Sequence, residues 1–241
     1  MRRVWRSLVL PPVALLGAHT APAVSRLHLG RRLCGVVSCV ESRDSVALTF
    51  DDGPDRDTTA FLDLLDGAGA RATFFVVGEQ VERAPGMLRE IVSRGHEVGI
   101  HCYRHRNHLR LTPQQSVHDM RRARAVIENV SGCSPRLDRP PYGVFSIASW
   151  MECGRQGWER VLWSRCGRDW ETKATSRSVA DRIGYPQAGD VLLLHDSDRY
   201  ASPGSQRNAL DALPIILERV CAGGLRARTV GELLDAGCCW A

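Results

Sequence analysis

The stretch VALTFDDGP at residues 46–54 joins a short apolar run to two adjacent carboxylates and a turn. Its first part, Val46–Phe50, has the apolar character and the length of a buried β-strand. Asp51 and Asp52 follow this strand directly, and the Gly-Pro pair after them is typical of a turn. Because adjacent carboxylates repel each other, one of the two usually binds a cation or keeps a proton. The stretch therefore predicts either a simple turn or a charged site at the end of a strand.

Outward from this stretch, short apolar runs alternate with longer segments of helical period. The strands predicted besides Val46–Phe50 are Ala72–Val77, Glu97–His101, Arg136–Arg139, Arg160–Ser164, Asp190–His195 and Leu225–Val230. The helices predicted between them are Thr58–Gly67, Gln80–Arg94, Pro113–Val130, Ile147–Gln156, Ser178–Ile183 and Ala209–Ala222. This alternation predicts an α/β fold of parallel βαβ units. Since no Gly-rich phosphate turn follows the first strand, the pattern favours a small β/α barrel over an open doubly wound sheet, with catalytic side chains at the C-terminal strand ends.

Chemically capable side chains follow five of the predicted strands. They are Asp51 and Asp52, His101 and His105, Arg139 and Tyr142, Asp169 and Trp170, and His195 and Asp196. His101 and His105 are four residues apart, which places both imidazoles on one side of a helical turn or tight loop, as a divalent metal requires. Together with one carboxylate they leave coordination positions open for water and substrate, as catalytic metal sites do. Alone, the histidine pair also fits a solvated loop.

Arg139 and His195 each allow two interpretations. Arg139 precedes a rigid Pro-Pro segment, where its guanidinium suits a bidentate pair with a carboxylate; the alternative is a surface arginine beside a turn. His195 ends the apolar run at residues 191–194, where a hydrogen-bonded core histidine is common. Its place at a strand end beside Asp196 favours a group that titrates near neutral pH and acts as an acid.

Taken together, these motifs resemble the polysaccharide deacetylases, which form carbohydrate esterase family four and share the NodB-type domain. The resemblance is carried by five ordered motifs: Thr49–Pro54, His101-x-x-x-His105, Arg139–Gly143, Asp169-Trp170 and Leu193–His195. It covers roughly residues 45–235 and implies a distorted (β/α)7 barrel. It also implies a hydrolase of carbon–nitrogen bonds in linear amides, which uses a divalent metal to remove an N-acetyl group, usually from an amino sugar.

Carried over to this chain, the resemblance implies that Asp52, His101 and His105 bind one divalent metal per chain. Zinc suits nitrogen and oxygen ligands in an open site and is the expected metal, with cobalt and nickel as alternatives. Asp51 would be the general base for the attacking water. His195 would protonate the departing amine, since an amine leaves only after protonation.

The resemblance also implies supporting roles around these groups. They are the orientation of Asp51 by Arg139, the tuning of His195 by Asp169, oxyanion stabilisation by the backbone N–H of Tyr142, and an acetyl pocket walled by Trp170 and Leu193. Cys102 departs from the family, which commonly has Ser or Thr directly after the first motif histidine. Because a thiol is a weaker hydrogen-bond donor, we expect a hydrogen bond in this loop to be weaker or missing. The alternative is that the thiol joins the metal ligands.

The first 44 residues are predicted to form an arm apart from a catalytic domain of residues 45–241. Three arginines precede the apolar stretch Leu8–Ala18, and Ala-Pro-Ala follows at residues 21–23, which is the order of a secretory signal. Pro11 and Pro12 interrupt the apolar stretch where a helix is expected. The arm is either an export signal or a poorly structured, weakly membrane-associated segment of a cytoplasmic protein. Localisation is therefore left open, and membrane contact is expected only through the arm.

Charge and cysteine content exclude other classes of function. Seven arginines and two acidic residues in residues 1–45 account for the whole formal net charge of +5. Residues 46–241 hold 25 basic and 25 acidic residues, so they lack the basic excess of a nucleic-acid-binding protein. The nine cysteines contain no CxxC pair, which argues against a structural zinc knuckle, and their odd number leaves at least one thiol free or paired between chains.

The expected substrate is an N-acetylated amino sugar in a glycan or glycoconjugate. Two alternatives remain open. One is a deacylase or deformylase of a small amino-sugar metabolite, and the other is a non-catalytic carbohydrate-binding relic of the fold. Retention of every expected ligand, base and acid argues against the relic.

Overall fold

A computed structural model describes Gly17, residues 19–26 and residues 28–238 of the chain. Apart from Gly17, the predicted signal-like stretch at residues 2–18 lies outside the described residues. Among the helices of the described part, none combines the length and hydropathy that spanning a membrane needs.

Nine strands of the described residues form one curled sheet. They are β1 (Val36–Val37), β2 (Ser45–Asp51), β3 (Thr73–Val76), β4 (Glu97–Ile100), β5 (Leu137–Asp138), β6 (Glu159–Val161), β7 (Arg165–Cys166), β8 (Val191–His195) and β9 (Arg226–Arg228). Their spatial order is β1-β6-β5-β4-β3-β2-β8-β7, and β9 pairs with the N-terminal half of β2. Every strand pair is parallel. The sheet curls into an incomplete barrel with β1 and β7 at its two ends.

Helices connect the strands and cover the outside of the sheet. They are α1 (His28–Leu33), α2 (Thr58–Gly67), α3 (Gly78–Arg83), α4 (Pro85–Ser93), α5 (Pro113–Ser131), α6 (Ile147–Gln156), α7 (Ser176–Ile183), α8 (Ser205–Ala222) and α9 (Val230–Cys238). Short 3-10 helices occur at Ala21–Arg26, His108–Arg110 and Pro141–Gly143. The start of α5 is fixed by a capping box, in which the Thr112 side chain accepts from the backbone of Gln115 and the Gln115 side chain accepts from the backbone of Thr112.

The α/β class and the distorted barrel predicted from the sequence are confirmed. All seven predicted strands are present, whereas α1, β1, β7 and α9 were not predicted. The predicted helix Gln80–Arg94 is wrong as a single element, because α3 ends before Ala84 and α4 begins at Pro85. Proline lacks the N–H that would continue a helix and disfavours helical backbone in the residue before it. Ala84 accordingly has φ −133° and ψ 61°.

The central strand β2 places one face of its side chains toward the helices and the other toward the barrel interior. Val46, Leu48 and Phe50 belong to the large core between sheet and helices. Because side chains alternate along a strand, Thr49 and Asp51 point to the opposite, interior face. The parallel register sets Asp51 beside His195 of β8. The fold therefore places Asp51, at the end of β2, and His195, at the end of β8, at the same height in the barrel.

Gly99 in β4 supports the barrel interior and provides a test of its packing. An added Cβ there would lie 2.5 Å from the ring of Phe75, which lies 4.1 Å from the guanidinium carbon of Arg139. We expect Gly99→Ala to lower the free energy of unfolding by about 1–3 kcal/mol, because the buried ring must move. Gly67→Ala is the matched control, since nothing lies within 4 Å of its added Cβ. Urea denaturation midpoints measure both, and equal midpoints would contradict the packing argument.

Candidate active site

The side chains of the two adjacent aspartates at the end of β2 point toward different partners. Asp51 continues the interior-facing side of the strand, whereas Asp52 has a left-handed backbone with φ +80° that turns its side chain away. The following residue has to be Gly53, because a Cβ there would lie 2.3 Å from a carboxylate oxygen of Asp196. The two carboxylates are therefore adjacent in sequence but occupy separate environments.

Asp52 lies beside the two histidines predicted to be its fellow ligands. Its Oδ1 atom is 3.4 Å from Nε2 of His101 and 3.3 Å from Nε2 of His105. One potential ligand atom from each residue lies within 4.8 Å of the other two. Oδ1 is buried and has no hydrogen-bond partner among the described residues. A buried, unpartnered carboxylate oxygen that faces two imidazole nitrogens fits the donor set of a divalent metal.

The orientation of His101 is set by a hydrogen bond at the ring nitrogen that does not face Asp52. Its Nδ1 atom lies 2.6 Å from the carbonyl oxygen of Arg139, so Nδ1–H donates and Nε2 faces Asp52. Burial opposes a charge on His101, but the nearby carboxylates of Asp51 and Asp52 outweigh it and raise its pKa. Burial likewise opposes a charge on Asp52, and the imidazoles of His101, His195 and His105 outweigh it and lower the pKa of Asp52. The site therefore attracts positive charge to the space between these groups.

His105 is held differently from His101. Burial lowers the pKa of His105 to about 4, against the attraction of Asp52, so its imidazole is neutral at neutral pH and can act as a ligand. Its ring stacks on the ring of Tyr200, with centroids 4.4 Å apart and planes 15° apart. The ring of Tyr142 contacts it at 4.7 Å and 59°.

Cys102, which lies between these histidines in the sequence, turns away from the candidate metal ligands. Its backbone is left-handed with φ +63°, and its buried Sγ atom lies 2.9 Å from Nε2 of His108. The thiol is not part of the cluster of Asp52, His101 and His105. The loop thus has a thiol–imidazole contact at the position where the family commonly has Ser or Thr.

Asp51 forms a buried ion pair with Arg139. Nη1 of Arg139 donates to Oδ1 of Asp51 at 2.7 Å and to Oγ1 of Thr49 at 2.8 Å. The rest of the guanidinium donates to the carbonyl oxygens of Val161 at 3.4 Å and Leu162 at 3.0 Å. Arg139 is completely buried and Asp51 is nearly so. The predicted orientation of Asp51 by Arg139 is thus geometrically available.

His195 lies opposite, in contact with Asp169. Asp169 Oδ1 lies 2.9 Å from His195 Nδ1, and Asp169 Oδ2 accepts from the His195 backbone N–H at 2.7 Å. Burial opposes the charged form of His195, but the ion pair with Asp169 outweighs it and raises the pKa of His195 to about 10. Nε2 of His195 lies 4.0 Å from Oδ2 of Asp52. A protonated imidazole therefore faces the cluster of candidate metal ligands.

The residues predicted to wall the acetyl pocket lie at the edge and the bottom of the same candidate active site. Trp170 meets the His195 ring edge-on with centroids 5.1 Å apart. Leu193 is buried in β8, where its backbone pairs with Thr49. Tyr142 has a left-handed backbone with φ +61° and a side chain that is 54% exposed. The structure thus brings together all the residues that the sequence motifs singled out for the site.

Three contacting residues were not predicted from the sequence. Tyr200 stacks on His105, Gln80 binds the Tyr200 hydroxyl, and Thr49 binds the Arg139 guanidinium. Thr49 lies within the Thr49–Pro54 motif, but the sequence predicted only a strand there and no role for Thr49 in the site. No spacing pattern signalled Tyr200 or Gln80, since their contacts exist only after β3 and β8 are placed side by side with β2.

Left-handed backbone among non-glycine residues is concentrated at this site. In the described residues it occurs at Asp52, Cys102, Tyr142 and Arg168, each in a loop that carries a site residue. Such conformations cost of order 1–3 kcal/mol each, and they persist where the surrounding structure enforces them.

The chain is similar to proteins of known family. The family model for polysaccharide deacetylase matches residues 40–159. A peptidoglycan-N-acetylglucosamine deacetylase of Bacillus cereus is 34% identical over 193 residues, which cover 78% of this chain and 87% of that protein. A chitooligosaccharide deacetylase of a Bradyrhizobium species is 35% identical over 176 residues, which cover 72% and 78%.

The fold is also similar to that of solved structures. One is a family 4 carbohydrate esterase from Streptomyces lividans in complex with acetate, with a TM-score of 0.69 and 29% identity over 79% of this chain and 93% of that one.

The ion pair of His195 and Asp169 predicts a pH-dependent stability. Because the pKa of His195 is about 10 when folded and about 6.5 when unfolded, its stabilisation is fully present below about pH 6.5 and lost as pH rises through about 10. We expect Asp169→Asn to lower the pKa of His195 by roughly 1–3 pH units. It should also reduce the free energy of unfolding more at pH 6 than above pH 10.

Histidine NMR titration and urea unfolding at the two pH values measure these effects. Asp211→Asn is the control, because Asp211 is exposed on α8 and its side chain has no hydrogen bond or ion pair with another described residue. An unchanged His195 titration in Asp169→Asn would contradict the assigned cause.

Proposed function

The chain belongs to the polysaccharide deacetylase family, and from this membership we propose that it removes the N-acetyl group from an amino sugar in a glycan or glycoconjugate, using one divalent metal. Named members of the family are deacetylases, so the chain is a hydrolase that acts on carbon–nitrogen bonds of linear amides. The observation that carries the proposal is the placement of two opposed groups, Asp51 held by Arg139 and His195 held by Asp169, around the cluster of Asp52, His101 and His105.

Deacetylases of this family use a divalent metal, and the cluster of Asp52, His101 and His105 is its candidate site. The metal supplies polarisation of the amide carbonyl and a lowered pKa of water. We propose zinc, because two imidazoles and one carboxylate are typical ligands of an open zinc site. The same ligands also accept cobalt or nickel.

Asp51 is proposed as the general base. Its Oδ1 atom is held by Arg139, while Oδ2 lies 4.0 Å from Nε2 of His101 and faces the ligand cluster. Oδ2 is therefore placed to take a proton from the attacking water. Arg139 fixes the direction of this carboxylate, since its four hydrogen bonds leave the guanidinium no freedom to rotate.

His195 is proposed as the general acid. Its high pKa keeps the imidazole protonated at neutral pH, and Asp169 binds Nδ1 so that Nε2–H points toward the cluster. When the amide C–N bond breaks, this proton passes to the amine nitrogen, which leaves as the free amine beside acetate. Asp51 and His195 thus take up and release protons on opposite sides of the scissile bond.

The remaining predicted residues are proposed to shape the acyl pocket. Trp170 and Leu193 would enclose the acetyl methyl group next to His195. The backbone N–H of Tyr142 would donate to the oxyanion, a contact that in other hydrolases is worth roughly 3 kcal/mol of barrier. The exposed ring of Tyr142 is open to a sugar at the same rim. We propose that the catalytic domain spans residues 45–241, with β1 of the preceding arm paired to β6 at one end of the sheet.

The proposal is tested by measuring release of acetate and free amine from a panel of substrates. The panel spans N-acetylglucosamine derivatives, chitooligosaccharides and peptidoglycan fragments, each with chelated enzyme and with zinc-restored enzyme. We expect acetate only after zinc is restored. The size of the best substrate decides between a polymer and a small amino-sugar metabolite. Sugar binding without any turnover would instead support a non-catalytic relic.

Asp51→Asn tests the base assignment. We expect turnover to fall by about 10²–10⁴-fold, because the amide cannot accept a proton from water, while metal binding stays intact. Metal content is measured alongside acetate release, with Asp211→Asn as a control that keeps wild-type turnover. An active Asp51→Asn enzyme would exclude Asp51 as the base.

A further inference from the structure

The two histidines of the candidate metal site differ in the hydrogen bonding of Nδ1, the ring nitrogen that does not face Asp52. Nδ1 of His101 donates to the carbonyl oxygen of Arg139 at 2.6 Å. Nδ1 of His105 is buried and has no hydrogen-bond partner among the described residues. Metal-binding histidines are almost always oriented by a hydrogen bond from the nitrogen that does not bind the metal. His105 therefore needs another source of orientation.

The ring of Tyr200 stacks on one face of the His105 imidazole. The two rings are nearly parallel, with an angle of 15° between planes and 4.4 Å between centroids. Such a stacked arrangement restricts rotation of the imidazole about its side-chain bonds, because tilting the ring would drive it into the tyrosine. The other face meets Tyr142, which is tilted by 59° and half exposed. Tyr200 is therefore the neighbour that stacks face to face on the imidazole.

Tyr200 is itself fixed at its hydroxyl group. The oxygen accepts from Nε2 of Gln80 at 2.7 Å, and the hydroxyl donates to Oε1 of Glu79 at 2.9 Å. Gln80 is buried and belongs to α3. The same helix binds the histidine loop directly, since the backbone N–H groups of Gly78 and Glu79 donate to the carbonyls of Cys102 and Tyr103. Helix α3 thus sets the distance between Tyr200 and the loop that carries His105.

We infer that Tyr200 is a positioning residue, which holds the His105 imidazole in its metal-binding orientation by stacking in place of a hydrogen bond to Nδ1. The inference rests on the proposed function, because it requires a metal at Asp52, His101 and His105. The stacking ring is the essential part, and the hydroxyl serves to fix the ring on α3. Removal of the ring should therefore weaken metal binding, whereas removal of the hydroxyl alone should have little effect.

The test is titration of metal-free enzyme with Co²⁺ in competition with a chromogenic chelator. We expect Tyr200→Leu to bind Co²⁺ about 10–100-fold more weakly than wild type, the range found when outer partners of metal ligands are removed. The visible absorption of bound Co²⁺ reports the change in ligand geometry. Saturating Co²⁺ should restore much of the turnover, because the catalytic groups themselves are unchanged.

Two variants separate the role of the ring from general damage. Tyr200→Phe keeps the stacked ring and should bind Co²⁺ within about threefold of wild type. Tyr185→Leu is the matched control, since Tyr185 is 73% exposed and contacts Arg219 away from the site. Thermal unfolding of each metal-free variant shows whether it folds. If Tyr200→Leu does not fold, Tyr200→Met replaces it, because methionine adapts to irregular space.

The outcomes distinguish this inference from the proposed function. A folded variant without the ring that binds Co²⁺ within threefold of wild type overturns the positioning role, even if wild type deacetylates its substrate. Wild type that binds no Co²⁺ overturns it as well. Weaker Co²⁺ binding by Tyr200→Leu, with no acetate from any member of the substrate panel, supports the positioning role and contradicts the proposed function.

Discussion

Arg139 and Asp51 form an ion pair that is removed from water on every side, and the placement of the other site residues follows from it. Taking two charges out of water costs several kcal/mol per ion unless hydrogen bonds and geometry compensate. Here the guanidinium binds the end of β2 through Asp51 and Thr49 and the end of β6 through two carbonyl oxygens, while its own carbonyl orients His101. One residue, through its side chain and its backbone carbonyl, therefore joins the strand ends that carry the proposed base and the first proposed metal-binding histidine.

Around this pair, identical side chains acquire opposite properties from their neighbours. His105 is buried against aromatic rings and has a pKa of about 4, whereas His195 is buried against Asp169 and has a pKa of about 10. Asp52 lies between them, with Oδ1 toward the first and Oδ2 toward the second. A neutral imidazole suits a metal and a protonated imidazole suits an acid, so the same residue type can serve both purposes in one site.

Much of this arrangement was predictable from the sequence because it depends on local rules. Short runs of strand character predicted seven of the nine strands, and the parallel topology requires their polar ends to meet. The two-residue strands β1 and β7 were missed, whereas the equally short β5 was predicted because a strand end beside Arg139 was expected there. The break at Ala84 depended on whether Pro85 ends the preceding helix or only begins the next one. Tyr200 could not be predicted, since its contact with His105 joins residues far apart in the chain through ring packing alone.

The left-handed residues at the strand ends set a limit on how this protein can be made more robust. Substituting glycine at Asp52 or Tyr142 would relieve local strain, yet each position carries a side chain of the proposed metal site or substrate rim. Gains in stability and loss of catalysis are thus coupled at one end of the barrel. Stabilising changes that spare activity belong at the opposite end, because none of the proposed site residues lies at the N-terminal ends of the described strands.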